Sequence, residues 1–540
     1  MINTIVSIIV AFIFSCFSSA VIAYIALTTQ IGPWVGPTLA LLATLVYKPF
    51  AKMHKELFFP VIAGALGGII ATAVTFSFPT LYFLNKTEFN GLFAFPLKFV
   101  GLLFIVILVT GLIAQSFVMQ WKNKLLQDTS LSFPVGQLVY SIISAQEKAQ
   151  QTKQLLIGVV STIAYSTIQA FSGIKNIALW SKMHCGALAL PAVSIEMAIF
   201  PLYLAIGYAA GAMIAIPLFV GTILKIFIAD PVYYCFFSSL QNADYMLAFG
   251  GGIVLSGALL SLVELPFSWY KVFHNYWKKR HLNYIKESVD NQDLKTSDNY
   301  DYKKVGYLVL ACLAAYFTLT YSLLFDFSWI SAIYLIGTSI ISMYVIVTIA
   351  GKIGLALLGR FATYVLMPGL LLFGYNPLQI TIVAMFVELC GGIATELMFG
   401  YKTAQLADID SKKVAYYQLF GIVISAIAVP CVLYILVSHF ELGSEQLCAQ
   451  RGLARALLVQ SASFDYYVLG IGCLVGLILK KIKVNPMFVL SGFLMPLSLS
   501  LQLIAGGCIS LFMAKKDTYE TFVSGVYATN AVTVLLRLFL

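Results

Sequence analysis

An all-α polytopic membrane protein is the fold this sequence predicts, with about sixteen transmembrane helices in two eight-helix halves and some re-entrant or broken helices. Three observations lead there. Of 540 residues, 60% are hydrophobic and only 10% charged, whereas a soluble globular chain is roughly 45–50% apolar and 25% charged. Most apolar runs reach the roughly 20 residues a helix needs to cross the hydrocarbon layer. They are continuous rather than alternating, and lipid permits only helices or closed barrels to span, so a helical bundle follows. Finally, one long hydrophilic stretch, 268–304, separates an N-terminal half, 1–267, from a C-terminal half, 305–540. Equal halves joined by one loop are a common transporter plan.

In order along the chain, spans are predicted at 2–28, 31–47, 57–84, 92–120, 154–173, 187–206, 208–229 and 244–267. After the polar loop come 305–325, 329–350, 361–373, 377–397, 414–438, 466–479, 486–513 and 518–540. The first run has no Lys or Arg before it and is too long for a secretory signal core, so a retained helix is expected. The strings "QLLIGVVSTIA" at Gln154 and "QLFGIVISAIA" at Gln418 resemble each other and hint at an internal repeat. The nine cysteines are scattered without a CxxC pair, which suits buried thiols better than disulfides or a metal site. His184-Cys185 has no second cluster, so no metal and no cofactor is expected.

The net charge of +10 is spread over many short loops. That pattern marks membrane orientation, not nucleic-acid binding. With the N-terminus in the cytoplasm, 23 of the 33 Lys and Arg fall on the cytoplasmic side and seven outside, Arg451 and Arg455 among the latter. Both termini are then cytoplasmic. The bias holds only if "DTSLSFPVGQLVYSIISAQEK" (128–148) enters and leaves on one side. This stretch is too short to span. Pro134 suits the first turn of a short helix, where its missing N–H is no loss. Asp128, Thr129, Ser130 and Ser132 offer caps. A re-entrant hairpin is therefore expected, and such broken backbone is tolerated only where protein or a wet cavity satisfies it. The alternative is an amphipathic helix lying in the interface.

Here the residues resemble a known family. "LSFPVG" (131–136) is similar to the Leu-Pro-Phe/Tyr-Pro-Glu/Ser-Gly signature of the oligopeptide transporter (OPT) family. "YKTAQLADIDSKKVAYYQLFG" (401–421) resembles the family's Asp-Leu-Lys-Thr-Gly-Tyr segment with its following basic pair and Gln-Leu-x-Gly. Lys402, Thr403, Leu406, Lys412, Lys413, Gln418 and Leu419 fall on matching positions. Weaker echoes are Tyr24, "GKIGLALLGRF" at Gly351 and "SGVYATNAV" at Ser524. Ser132 replaces the first Pro of the signature, Val135 its Glu/Ser, and Gly400 the Asp, so the chain resembles a divergent branch of the family. The resemblance implies a secondary transporter that imports small peptides or peptide-like metal chelates, usually with protons. No GxxxxGK[ST] phosphate loop and no HExxH motif occurs, so neither a nucleotide-driven pump nor a zinc protease is indicated.

An ionisable group deep in lipid costs roughly 2.5–3.5 kcal/mol or more and needs a partner or a purpose. Glu196 lies between Pro191 and Pro201, which predict a broken helix. Glu388 and Glu396 are eight apart, hence roughly on one helix face, with Gly391-Gly392 between them as a kink or close-approach point. A carboxyl in lipid favours its neutral form and can carry a proton across. The bland reading is a Glu held by neighbours to lock helices. Lys402 could pair with Glu396, meet a peptide carboxylate, or simply snorkel. The expected pathway is lined by Leu131, Phe133, Pro134, Gly136, Glu196, Glu388, Glu396, Lys402 and Thr403. Its partners would be a small peptide or chelate and membrane lipids, with no nucleic acid. The rival readings are a membrane-embedded enzyme acting on lipid-linked substrates, a channel, or a transporter of another small solute.

Overall fold

The computed structural model describes residues 2–29, 32–47, 54–129, 131–144, 149–172, 177–180, 195–197, 204–257, 302–321 and 325–512, apart from 206, 209, 210, 239, 243, 445, 483, 485 and 496, together with 522, 523, 525, 526, 529 and 533. Residues 268–301 of the polar loop, His184-Cys185 and most of the last predicted helix lie outside the described residues.

The first half contains α1 (Ile2–Thr29), α2 (Gly36–Tyr47), α3 (Phe58–Ser77), α4 (Pro79–Leu84), α5 (Lys86–Phe93), α6 (Pro96–Gln127), α7 (Pro134–Ser144) and α8 (Ala149–Ser172). Strands β1 (Ile177–Trp180) and β2 (Ile195–Met197) follow, then α9 (Ala212–Leu224), α10 (Asp230–Phe236) and α11 (244–257). Later come α12 (Tyr302–Tyr321), α13 (Trp329–Ile353), α14 (Leu358–Phe373), α15 (Pro377–Leu406), α16 (Ser411–His439) and α17 (Gln450–Val459). The last are α18 (Tyr466–Lys481), α19 (Pro486–Leu494) and α20 (Leu497–Phe512). Among the described residues, seven helices are long and apolar enough to cross a membrane, so the protein is polytopic.

The centre is the antiparallel pair α3 and α15. Ser77 meets Glu388, a side chain on Gly392 would meet Ile69, and one on Gly400 would meet Ile62. Every residue of α3 is buried, as is most of α15. A helix apolar all round belongs in the interior of a bundle. Lipid gives no hydrophobic drive between helices, so small residues and close packing must hold them. The α3 segment "AGALGG" provides this: Ser18 of α1 donates to the Gly64 carbonyl at 2.5 Å. α16 runs beside α3, with Tyr417 stacked on Phe59 at 4.7 Å and Gly421 directly against the Ala63 backbone. Gly391-Gly392 is a close-approach point, not a break: α15 continues through it, and Thr395 donates to the Gly391 carbonyl. A second, smaller core joins α9, α11, α18 and α19, with Leu457 and Leu458 of α17.

Because Gly421 touches backbone and Gly470 of α18 faces open space, Ala at the two positions separates overpacking from helix propensity. Gly421→Ala should lower stability by about 1–3 kcal/mol. Gly470→Ala should change it by no more than about 0.5 kcal/mol, or raise it slightly. Thermal unfolding of the two purified variants side by side checks this.

Two expectations are corrected. In an otherwise helical protein, the broken helix expected around Glu196 is not what is seen: β1 and β2 form a short antiparallel ladder in which Ala178 pairs with Glu196. Pro191 and Pro201 withhold N–H groups from any helix there, and the short stretch between them is marginal as a helix by itself. Second, 450–459, expected in an outer loop, is the buried half-length helix α17.

Candidate functional site

The signature stretch forms a hairpin that enters and leaves at one end of the bundle. α6 runs antiparallel to α3, with Phe99 edge-on to Phe78 at 5.2 Å, so Gln127 ends beyond the start of α3. The chain then turns inward to Phe133, whose N–H donates to the Gly351 carbonyl at 2.8 Å. Phe133 has φ of 50°, a left-handed backbone that a bulky residue adopts only where its surroundings enforce it. Its ring is fully buried, edge-on to Phe399 at 6.2 Å. Pro134 opens α7, which runs back until Tyr140 stacks on Phe58 at 6.2 Å.

Three non-helical segments converge here. Trp34, between α1 and α2, donates to the Gly354 carbonyl at 2.8 Å and packs edge-on against Phe399 at 4.8 Å. The 354–357 turn follows α13, with Gly354 in the left-handed region beside Pro134. The third segment is 128–133, with Leu131 buried. Gly136 closes the contact with α15. Its carbonyl accepts from Thr403 Oγ1 at 2.9 Å, and a Cβ on it would stand 2.7 Å from the Phe399 carbonyl oxygen. The structure thus brings together Leu131, Phe133, Pro134, Gly136 and Thr403.

Glu396 stands beside this junction. It is 6% exposed, and no described side chain donates to it. Its Oε1 faces α2, 3.9 Å from where a Cβ on Gly36 would sit, with Val139 of α7 next to the same position. Lys402 does not pair with it. Six residues turn a helix by roughly 240°, and Lys402 is half-buried, donating to Gln405 at 3.1 Å.

Glu388 faces elsewhere. Eight residues rotate the second carboxylate by roughly 80°, so the two acids do not share a face. Glu388 Oε1 accepts from Arg455 Nη2 at 2.6 Å and Oε2 from Ser77 Oγ at 2.6 Å. Arg455 Nη1 also donates to Ser77 Oγ at 3.1 Å and to the Phe76 carbonyl at 3.2 Å. The residues are 0% and 2% exposed. Glu388 is thus held by neighbours, the helix-locking arrangement. Arg451, Arg455 and Ser77 were missed as site residues. The available signal was "QRGLARALLV", in which two arginines four apart share a helix face. The β2 backbone that carries Glu196 lies against α20 and not in this group.

The loop feeding α17 is tied at the surface. Glu441 accepts from Lys86 at 2.9 Å and from Tyr82 at 2.8 Å. Those bonds, Lys86's first, hold the Glu441 carboxyl below its usual range. A depressed carboxyl contributes above its ordinary pKa, and the contribution fades as pH falls through the lowered value.

A family model described as OPT oligopeptide transporter protein matches residues 2–531. No curated protein matches the chain.

Proposed function

The chain belongs to the OPT oligopeptide transporter family, and on that premise we propose that it is a proton-coupled symporter of small peptides or peptide-like metal chelates. Members of the family are transporters, not enzymes, and the chain is a multi-pass membrane protein. The observation that carries the coupling is Glu396: a buried carboxyl with no described donor, beside three broken segments. An unpaired carboxylate in such surroundings is costly, so the group favours taking a proton. Release of that proton on the other side would drive uptake. The cargo route passes the junction of 128–136, 354–357 and α15, where non-helical backbone can line a cavity. In this reading sixteen spans divide into the halves 1–267 and 305–540, both termini are cytoplasmic, and 268–304 is a cytoplasmic linker. The membrane is the plasma or inner membrane.

Proteoliposomes with an acid exterior test it. Labelled tripeptides or ferric chelates should accumulate above the outside concentration and stop when a protonophore collapses the gradient. Uptake that persists unchanged without a gradient rejects proton coupling.

A further inference from the structure

We infer that 447–452 is the counterpart of the signature hairpin, set in the opposite end of the bundle, and that the two hairpins are the paired gates of one passage. The helices of the C-terminal half repeat those of the N-terminal half in order. α1, α2, α3, α6, α7 and α8 correspond to α13, α14, α15, α16, α17 and α18, and each counterpart begins about 320 residues later. Because α3 and α15 are antiparallel, the repeat is inverted, with its pseudo-two-fold axis in the membrane plane. The half-length helices α7 and α17 are therefore counterparts, and "LSFPVG" (131–136) falls on "LCAQRG" (447–452).

The geometry agrees residue by residue. Leu131 and Leu447 are both buried. Phe133 and Ala449, each just ahead of its half-helix, have φ of 50° and 45°, a left-handed backbone that a residue with a Cβ keeps only where its surroundings enforce it. Each corner is held by the other half. The Phe133 N–H donates to the Gly351 carbonyl and the Ala449 N–H to the Leu27 carbonyl, both at 2.8 Å, and each acceptor lies two residues before the end of its helix, α13 or α1. Gly136 and Gly452, each third in its half-helix, are both pressed on backbone. A Cβ on the first would stand 2.7 Å from the Phe399 carbonyl oxygen of α15, and one on the second 2.9 Å from the Thr80 nitrogen of α4, which continues α3 in one span. The second hairpin also enters and leaves at one end. A Cβ on Gly443 would stand 3.3 Å from the Phe83 ring, and Gln460 Nε2 donates to the Phe83 carbonyl at 3.4 Å. That end is opposite the one marked by Tyr140 on Phe58. Each half-helix stands by one acid of α15. A Cβ on Gly36 would meet Val139 of α7 at 3.2 Å and Glu396 Oε1 at 3.9 Å; one on Gly359 would meet Arg451 of α17 at 2.9 Å and Glu388 Oε1 at 3.5 Å. The sixth residue is Val139 in α7 and Arg455 in α17. The acid beside α17 therefore meets a guanidinium where the acid beside α7 has an aliphatic neighbour.

Broken backbone at membrane depth is kept where solute passes. Two such corners at opposite mouths, each fastened to the other half, open in alternation as the halves rock. The inference rests on the transporter reading only for there being a cargo, and its test needs none. Cys448, 2% exposed, sits beside the Ala449 corner and reports on it. Sealed vesicles of the full-length protein are treated with a membrane-impermeant maleimide on one face or the other, and modification of Cys448 is read by peptide mass spectrometry. Glu441→Ala, at a side chain 68% exposed, removes the acceptor of Lys86 and Tyr82 from the loop that feeds α17. It should speed labelling from the Glu441 face by about twofold or more and slow it from the opposite face. Thr403→Val removes the donor to the Gly136 carbonyl at the other mouth and should do the reverse. Cys448 labelling unchanged in Glu441→Ala, labelling from the Glu441 face unchanged or faster in a folded Thr403→Val, or a change of the same sign on both faces overturns the inference. Should the reciprocity hold while vesicles accumulate nothing, the transport reading fails and the paired gates stand; accumulation without reciprocity does the opposite.

Discussion

Arg455→Met is expected to destabilise the protein by about 3–5 kcal/mol, the usual cost of removing one partner from a buried ion pair. The reason lies in what remains. Glu388 is 0% exposed and would keep Ser77 as its direct hydrogen-bond donor, with Arg451 beyond Gly359. The Phe76 carbonyl would lose a charged donor as well. Glu388→Gln should be comparably harmful, since it leaves the buried Arg455 guanidinium without its carboxylate. The double variant should be less harmful than the sum of the singles, by a coupling of about 0.5–3 kcal/mol. Thermal or denaturant unfolding of the four proteins in one detergent measures this. An Arg455→Met protein as stable as the parent would mean that the pair does not join α3, α15 and α17.

Glu396→Gln should produce the largest functional effect: accumulation against a gradient disappears while downhill exchange of cargo continues. The amide is nearly isosteric but cannot carry a proton. Glu396 has no described donor to lose, so the fold should survive, and stability should stay level or rise. Counterflow in vesicles reports exchange, and acid-driven uptake reports coupling. Loss of both would assign Glu396 to cargo binding or folding instead. Retention of both would remove it from the proton route.

Much of the architecture could be predicted because it is local. Apolar length marked α1, α3, α6, α15 and α16. The basic residues flanking the loops and Pro134 at a helix start mark a hairpin in 128–148, of which 128–129 and 131–144 are described. What stayed hidden depends on partners far away in the chain. Arg455 looked like an outer-loop cation because ten residues holding two arginines do not resemble a buried helix. Its acceptors are 67 and 378 residues distant. The rotation between Glu388 and Glu396 was computable but was approximated as one face. At Glu196, two prolines signalled an interrupted helix, whereas the strand pairing depends on 177–180. The burial of Glu396 follows from its place in an apolar run, yet its lack of a described partner is a property of three dimensions alone.

The long sequence separation inside the Arg455–Glu388–Ser77 cluster bears on how the protein is made. At roughly 5–20 residues per second, a ribosome reaches Arg455 roughly 3–13 s after Glu388. Throughout that interval α3 and α15 wait beside the insertion machinery with their shared acid lacking its cation. Nascent chains truncated before residue 450 should therefore linger on insertion chaperones or be degraded, and those extended past 460 should be released.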